Sequence, residues 1–274
     1  LKYDQSSTLT AKALYWKAES YYNRAEFANA VKAYEAFIYS PGAVLTPYFN
    51  LANYNIGYAY FQQERFKEAP GWFRRYTAYR QEKDATKLAD ANLRIGDSYF
   101  MLNDYSAAND YYNQAITVGK ASRDYAFFQS GLTAGLMKDY NGKILKMNKL
   151  IAEYPKSSYI SAAYYELGKT YELPQVENLD KSIELMQKVI DEYPGSSYVR
   201  KAMVSIGQTY YNQNKNDKAL AVYLDVVKGF PTYEDTREAL QGLKNIYTER
   251  DEVAKYEALI ASLDFVNISE FALD

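Results

Sequence analysis

Apolar and small residues recur along this chain at helical intervals, in bursts of about fourteen residues parted by short polar turns. A small residue is followed twelve positions later by another: Ala18 and Ala30, Gly57 and Ala69, Gly96 and Ala108, Gly207 and Ala219. Five residues before each first member, here called the anchor, stands an alanine: Ala13, Ala52, Ala91 and Ala202. Three residues after it stands a tyrosine: Tyr21, Tyr60, Tyr99 and Tyr210. Four after the second small residue comes an aromatic: Tyr34, Phe73, Tyr112 and Tyr223. Two further units are degenerate. One holds Ala126, Gly131, Lys143 and Met147; the other holds Ala163, Gly168, Tyr171, Ser182 and Met186, with two extra residues around Leu173-Pro174-Gln175. The anchors at 18, 57, 96, 131, 168 and 207 are 39, 39, 35, 37 and 39 residues apart, and a poorly matching seventh unit runs from about Asp235 to Leu263.

This pattern predicts an all-α chain of seven helix hairpins, without strands. The turns fall at Arg24-Ala25-Glu26, Gln63-Glu64-Arg65, Asn103-Asp104 and Asn214-Lys215-Asn216. Small residues at both anchor positions are expected to let the two helix backbones approach, with the aromatics above and below them. Prolines at 41, 155, 194 and 231 close units at helix ends, where a missing N–H costs least.

Tyr54-Asn55-Ile56-Gly57-Tyr58-Ala59-Tyr60, followed by Phe66, Ala69 and Phe73, resembles the tetratricopeptide repeat, and six units share its register. The resemblance implies an α-solenoid in a right-handed superhelix with its first helices along a concave face. The repeat domain is expected to cover residues 11–263, with 1–10 an extension or the remnant of a preceding repeat. Residues 264–274 are expected to begin a further repeat, because Leu263, Phe265, Val266, Ile268, Phe271 and Leu273 continue the apolar pattern. The near-duplicate linkers Glu153-Tyr154-Pro155-Lys156-Ser157-Ser158-Tyr159 and Glu192-Tyr193-Pro194-Gly195-Ser196-Ser197-Tyr198 are similar to those of bacterial cell-envelope repeat proteins, of the barrel-assembly lipoprotein and Tol-Pal coordinator types. That likeness implies a periplasmic or outer-membrane-associated scaffold, with a cytoplasmic place as the alternative.

Composition removes most other functions. Thirty-two basic residues against 34 acidic give a net charge of −2, which offers no electrostatic footprint for nucleic acid. Cysteine and histidine are absent, and with them thiol nucleophiles, their zinc sites and the usual general base. No apolar run is long enough to span a membrane. The acid pairs Asp191-Glu192 and Asp251-Glu252 are helical neighbours pointing about 100° apart, so they form no dyad. Gly135 and Gly142 lack a preceding strand and a following Gly-Lys-Ser/Thr, and no calcium loop occurs. The chain is read as a non-enzyme without cofactor or metal.

Tyrosine stands out, with 31 of 274 residues. Those in repeated slots are packing residues. A second set follows from the resemblance, which puts positions −3, +1 and +4 from the anchor on the groove. These give Tyr15, Glu19 and Tyr22, then Tyr54, Tyr58 and Phe61, then Leu93, Asp97 and Phe100. Later units give Phe128, Leu132 and Gly135, then Tyr165, Lys169 and Glu172, then Val204, Gln208 and Tyr211. The candidate groove comprises Tyr15, Tyr22, Tyr54, Tyr58, Phe61 and Leu93 on one stretch, with Asp97, Phe100, Tyr165, Lys169, Gln208 and Tyr211 beyond. Tyr54, Tyr58, Phe61 and Phe100 are expected to be partly exposed with Asp97 nearby. Aromatics rimmed by charge suit a peptide or a partner helix. Position +1 holds no Asn, so the family's carboxylate clamp is not expected. The leading function is a protein-interaction scaffold; a spacer without a ligand and a glycan-binding surface are the alternatives.

Overall fold

A computed structural model of the chain describes residues 2–231 and 234–264. The described residues contain fourteen α-helices and no strand. The first hairpin joins α1 (Lys2–Asn23) to α2 (Phe27–Ile38), and the second joins α3 (Phe49–Phe61) to α4 (Ala69–Thr77). The third and fourth are α5 (Ala85–Met101) with α6 (Tyr105–Val118), and α7 (Arg123–Leu136) with α8 (Tyr140–Glu153). The fifth and sixth are α9 (Ile160–Tyr171) with α10 (Leu179–Glu192), and α11 (Tyr198–Asn212) with α12 (Asn216–Gly229). The seventh is α13 (Glu234–Glu249) with α14 (Val253–Ala261). The chain divides into two compact units, residues 1–149 and 150–274. Residues 265–274, where a further repeat is expected to begin, lie outside the described residues.

Each glycine anchor makes room for a large side chain of the second helix, which corrects the expected backbone contact. A Cβ at Gly57 would lie 2.8 Å from the ring of Phe73, and one at Gly96 would lie 2.7 Å from that of Tyr112. At Gly207 the ring of Tyr223 would be 2.5 Å away, while Gly131 and Gly168 face Met147 and Met186. The side chain sixteen residues on, eighteen in the fifth hairpin with its longer turn, therefore lies flat on the first helix. Tyr34, Phe73, Tyr112, Met147, Met186 and Tyr223 are all fully buried there.

Six turns share one geometry. Ala25, Glu64, Asn103, Lys138, Asn214 and Asp251 have φ between 56° and 64°, in the left-handed region. In all six of these turns the following N–H returns to a carbonyl five residues back, as from Glu26 to Tyr21 (3.0 Å) and from Asp104 to Tyr99 (2.9 Å). This satisfies a carbonyl that the helix end would leave open. In the first, second, third, fourth and sixth hairpins the left-handed residue comes seven after the anchor. Counting back from Asp251 puts the seventh anchor at Lys244, a large residue in the small slot.

Within each unit, second helices pack on the next first helix: α2 on α3, α4 on α5, α6 on α7, α10 on α11 and α12 on α13. The contact uses positions −5, −1 and +2. Ala52, Ile56 and Ala59 share a cluster with Ala30, Val31, Tyr34 and Phe37 of α2. Ala91 and Ile95 join Phe73 and Tyr76 of α4, and Ala202 and Ile206 join Met186 and Val189 of α10. Ala239, Leu243 and Ile246 join Tyr223, Val226 and Val227 of α12. On α7, Ala126 packs on α6, and Ser130 donates to Asn109 of α6 at 2.7 Å.

Candidate functional site

The residue at +1 is tied to the residue laid on its anchor. A buried phenol needs an acceptor, and position +1 supplies one wherever that residue is tyrosine. Tyr34 donates to Glu19 (2.5 Å), Tyr112 to Asp97 (2.9 Å) and Tyr223 to Gln208 (3.4 Å). Where it is Phe73, position +1 is Tyr58, whose ring meets it edge-on at 5.2 Å. Opposite Met147 and Met186 stand Leu132 and Lys169, with no phenol to satisfy.

In the first unit this pairing extends into a network. Tyr54 donates to Asp90 at 2.6 Å, and Tyr58 donates to the same carboxylate oxygen. Arg94 contacts Asp90 at 3.5 Å and pairs with Asp97 at 2.7 Å. Asp97 also accepts from Tyr125 of α7 at 2.8 Å. Burial pushes the Asp97 carboxyl up, against the opposing pull of Arg94. Burial, followed by the neighbouring carboxylates, pushes the phenols of Tyr54, Tyr58, Tyr112 and Tyr125 up as well. One hairpin earlier, Asn55 donates to Glu19 (2.6 Å), Tyr34 (3.2 Å) and Tyr15 (3.3 Å). The polar groups on this face are largely bonded to one another.

The same helical positions are open in the second unit. There α9, α11 and α13 line a groove of about 320 Å³. Tyr165 and Lys169 of α9 form one wall, and Asp235 and Glu238 of α13 form the other. Lys201, Val204, Ser205 and Gln208 of α11 form the floor. Lys169 contacts Ser205 (3.2 Å) and Glu172, and Ser205 donates to Glu172 at 2.8 Å. Asp235 pairs with Arg200 at 3.1 Å. Lys201 lies over the Tyr198 ring at 5.8 Å, and neither it nor Glu238 has an ion-pair partner among the described residues, so the groove presents one charge of each sign without a counter-ion. Burial, with nearby carboxylates, pushes the Tyr165 phenol up to about 12, so it stays a neutral donor. Among the described residues no acidic cluster is placed to hold a metal ion.

Of the residues expected on the groove, Tyr165, Lys169 and Gln208 line it. Tyr54, Tyr58, Phe61 and Phe100 are partly exposed, as expected, with Arg94 linking the Phe61 ring (5.7 Å) to Asp97. Three expected surface residues are buried instead. Tyr15 is stacked on Tyr48 at 4.4 Å, Leu93 lies in the third hairpin's core, and Asp97 is enclosed by its donors. Phe128 and Val204 are likewise buried at the same −3 position. Aromatics at +4 clasp the turn: Tyr22 meets Phe27 at 5.4 Å, Phe61 meets Phe66 at 5.4 Å and Phe100 meets Tyr105 at 5.6 Å. Tyr211 donates instead to Glu249 of α13. Sequence reasoning missed positions −6 and −2, which hold Asp90, Arg94, Lys201 and Ser205. These polar side chains vary in type between units and leave no periodic signal.

A tetratricopeptide-repeat family model matches residues 15–85, and a second matches 90–118, 125–157, 162–196 and 201–233. No curated protein matches the chain. Among solved structures, the C-terminal part of a TPR repeat-containing protein from Cytophaga hutchinsonii is similar with 18% identity and a TM-score of 0.70, over 93% of this chain and 97% of that one. A tetratricopeptide repeat protein from Parabacteroides merdae is similar with 16% identity and a TM-score of 0.61, over 96% of each chain. YrrB, described as a TPR protein with an unusual peptide-binding site, has 20% identity and a TM-score of 0.52, over 66% of this chain and 85% of its own. At these identities the likeness is one of fold.

Proposed function

Since this chain belongs to the tetratricopeptide-repeat family, we propose that it is a non-catalytic interaction scaffold that holds an extended peptide in the groove of its second unit. The observation that carries the reading is the contrast between the two units. The network formed by Tyr54, Tyr58, Asp90, Arg94 and Asp97 bonds its groups to each other. In the second unit the equivalent positions leave a groove with Lys201 and Glu238 lacking counter-ions. Gln208, exposed on the floor, offers its amide to a peptide backbone, and Tyr165 offers a ring and a hydroxyl. YrrB, whose fold is similar, is described as binding peptide. The first unit then serves mainly as a rigid support, which is how the spacer alternative survives in this reading. The linkers at Tyr154-Pro155 and Tyr193-Pro194 are the ground for proposing a bacterial cell envelope as its place of work.

Selection of a displayed random-peptide library on the purified protein tests this. Enriched peptides should carry an acidic and a basic residue a few positions apart. Their affinity should fall at least tenfold in Lys201→Glu and in Glu238→Lys, with helicity unchanged. Peptides that bind both variants like the wild type would place the ligand elsewhere and defeat the reading.

A further inference from the structure

We infer that the solvent face of α4 is a docking surface for an acidic segment of a partner protein, whose carboxylates engage Arg74 and Arg75. Of the seven second helices, α4 alone carries cations and no acid. From Arg65 to Gln81 the one acid is Glu68, and it is bonded to Arg65 at 2.5 Å. Lys67, Arg74, Arg75 and Arg80 are exposed, and none has a carboxylate partner among the described residues. The negative end of the α4 dipole favours cations there, but it amounts to only about half an elementary charge.

The two guanidinium groups are held in place without being neutralised. Arg74 donates to the Tyr99 hydroxyl at 2.8 Å, and the Tyr99 ring is stacked on Tyr111 at 5.7 Å. Arg75 lies over the Trp72 ring at 4.2 Å. Tyr99 and Tyr111 pack against the core cluster of Phe73 and Tyr76, and Trp72 packs against the cluster that holds α2 on α3. The supports are thus anchored in the fold, and none carries a negative charge. Two other arginines sit on +3 tyrosines, Arg24 over Tyr21 and Arg65 over Tyr60, and each is closed by a glutamate, Glu26 at 2.8 Å and Glu68 at 2.5 Å. Arg74 bonds the tyrosine of the same position, and no glutamate closes it.

A partner's carboxylate can supply that group, because it accepts two parallel bonds from one guanidinium. Gly71 leaves the approach open, with nothing within 4 Å of the place a Cβ would take. Residues 65–80 contain no Leu, Ile, Val or Met, so this face has no aliphatic side chain to enter a bilayer. The four cations span one short helix and its two ends, too short a track for a nucleic-acid backbone on a chain of net charge −2. This surface belongs to the first unit, and its test does not depend on the groove of the second.

The probe is a fluorescent peptide of alternating Glu and Gly, titrated by anisotropy against the whole chain. Saturable binding is expected, and affinity should fall at least tenfold in Arg74→Glu/Arg75→Glu, whose fold is checked by circular dichroism. Lys120→Glu/Lys149→Glu changes the net charge equally at two other exposed residues and should bind like the wild type. Arg74→Lys/Arg75→Lys keeps the charge but loses the planar fork, and should weaken binding at least threefold. In a Trp16→Phe background Trp72 is the one tryptophan left, and its emission should change as the peptide saturates. Absence of saturable binding, an equal loss in both charge-reversal variants, a lysine variant that binds like the wild type, or an unmoved Trp72 would overturn the assignment. Tighter binding of an oligothymidylate or a phosphatidylserine vesicle at the same arginines would also overturn it, by making phosphate the ligand. So would self-association that the Arg74→Glu/Arg75→Glu variant abolishes, by placing a second copy on this face.

Discussion

Replacing Gly57 and Gly71 by alanine should change stability in opposite directions, although both lie in helices of the same hairpin. At Gly57 the new Cβ would stand 2.8–2.9 Å from three atoms of the Phe73 ring, against 3.4–4 Å for ordinary contact. The ring must retreat by about 0.6 Å, the difference between 3.4 and 2.8 Å. Its retreat is hindered by the rings of Tyr54 at 5.8 Å and Tyr58 at 5.2 Å, and by Ala91 and Ile95 in the same cluster. Overpacking of this kind costs roughly 1–3 kcal/mol. Alanine's better helix propensity returns about 0.5–1 kcal/mol, leaving, at the middle of both ranges, a net loss of about 1 kcal/mol. At Gly71 nothing lies within 4 Å of the new Cβ. Only the propensity acts there, and Gly71→Ala should gain about 0.5–1 kcal/mol. Urea denaturation followed by far-ultraviolet circular dichroism measures both, with Trp72 fluorescence reporting locally. An unchanged or raised midpoint for Gly57→Ala would refute the ring-on-anchor account of the repeat.

Asp84 caps α5 by accepting from the N–H groups of Thr86 (3.1 Å) and Lys87 (3.0 Å), so Asp84→Ala should cost about 1 kcal/mol at neutral pH. The Lys87 ammonium, with those N–H groups, holds the Asp84 carboxyl below its ordinary range. Its contribution is therefore present above that range and lost as pH falls through it, and urea midpoints of the two proteins should converge in acid. Glu64→Gly removes the strain of a left-handed turn residue at φ 57° and should stabilise the fold by about 1 kcal/mol, read as a raised urea midpoint. The phenols of Tyr34, Tyr54 and Tyr112 are pushed above their ordinary value by desolvation and then by neighbouring carboxylates. Their contribution is complete below about pH 10 and is lost as pH rises further. Absorbance at about 295 nm should show exposed tyrosines ionising first, and these phenols only with loss of helicity.

Six hairpins were legible because the repeat alternates extremes of size, a glycine or alanine against an aromatic or methionine sixteen residues later, or eighteen in the fifth. The seventh was blurred by Lys244 in the anchor slot and Tyr256 in place of the second small residue, and only turn geometry restored its register. The groove was less legible. Helical periodicity places +4 beside −3 and +1, yet the turn follows at once and the ring closes it; Phe27, Phe66 and Tyr105, five residues on, were the available signal. Exposure at −3 depended on neighbouring hairpins, which periodicity within one helix does not report. Tyr165 stays partly open, whereas Tyr15 meets Tyr48 from the following loop.

The bond between position +1 and the side chain on its anchor has a consequence for how such a chain can be recombined. Glu19 with Tyr34, Asp97 with Tyr112 and Gln208 with Tyr223 each place an acceptor on one helix and its donor on the next. A crossover inside a hairpin that joined α5 to a methionine-bearing helix such as α8 would leave Asp97 without its phenol. The reciprocal product would bury the hydroxyl of Tyr112 against Leu132. A crossover in the linkers between hairpins keeps every such pair intact. The hairpin, not the helix, is thus the unit in which this chain can be duplicated, shuffled or grafted, and linkers such as Tyr154-Pro155 mark where the cuts belong.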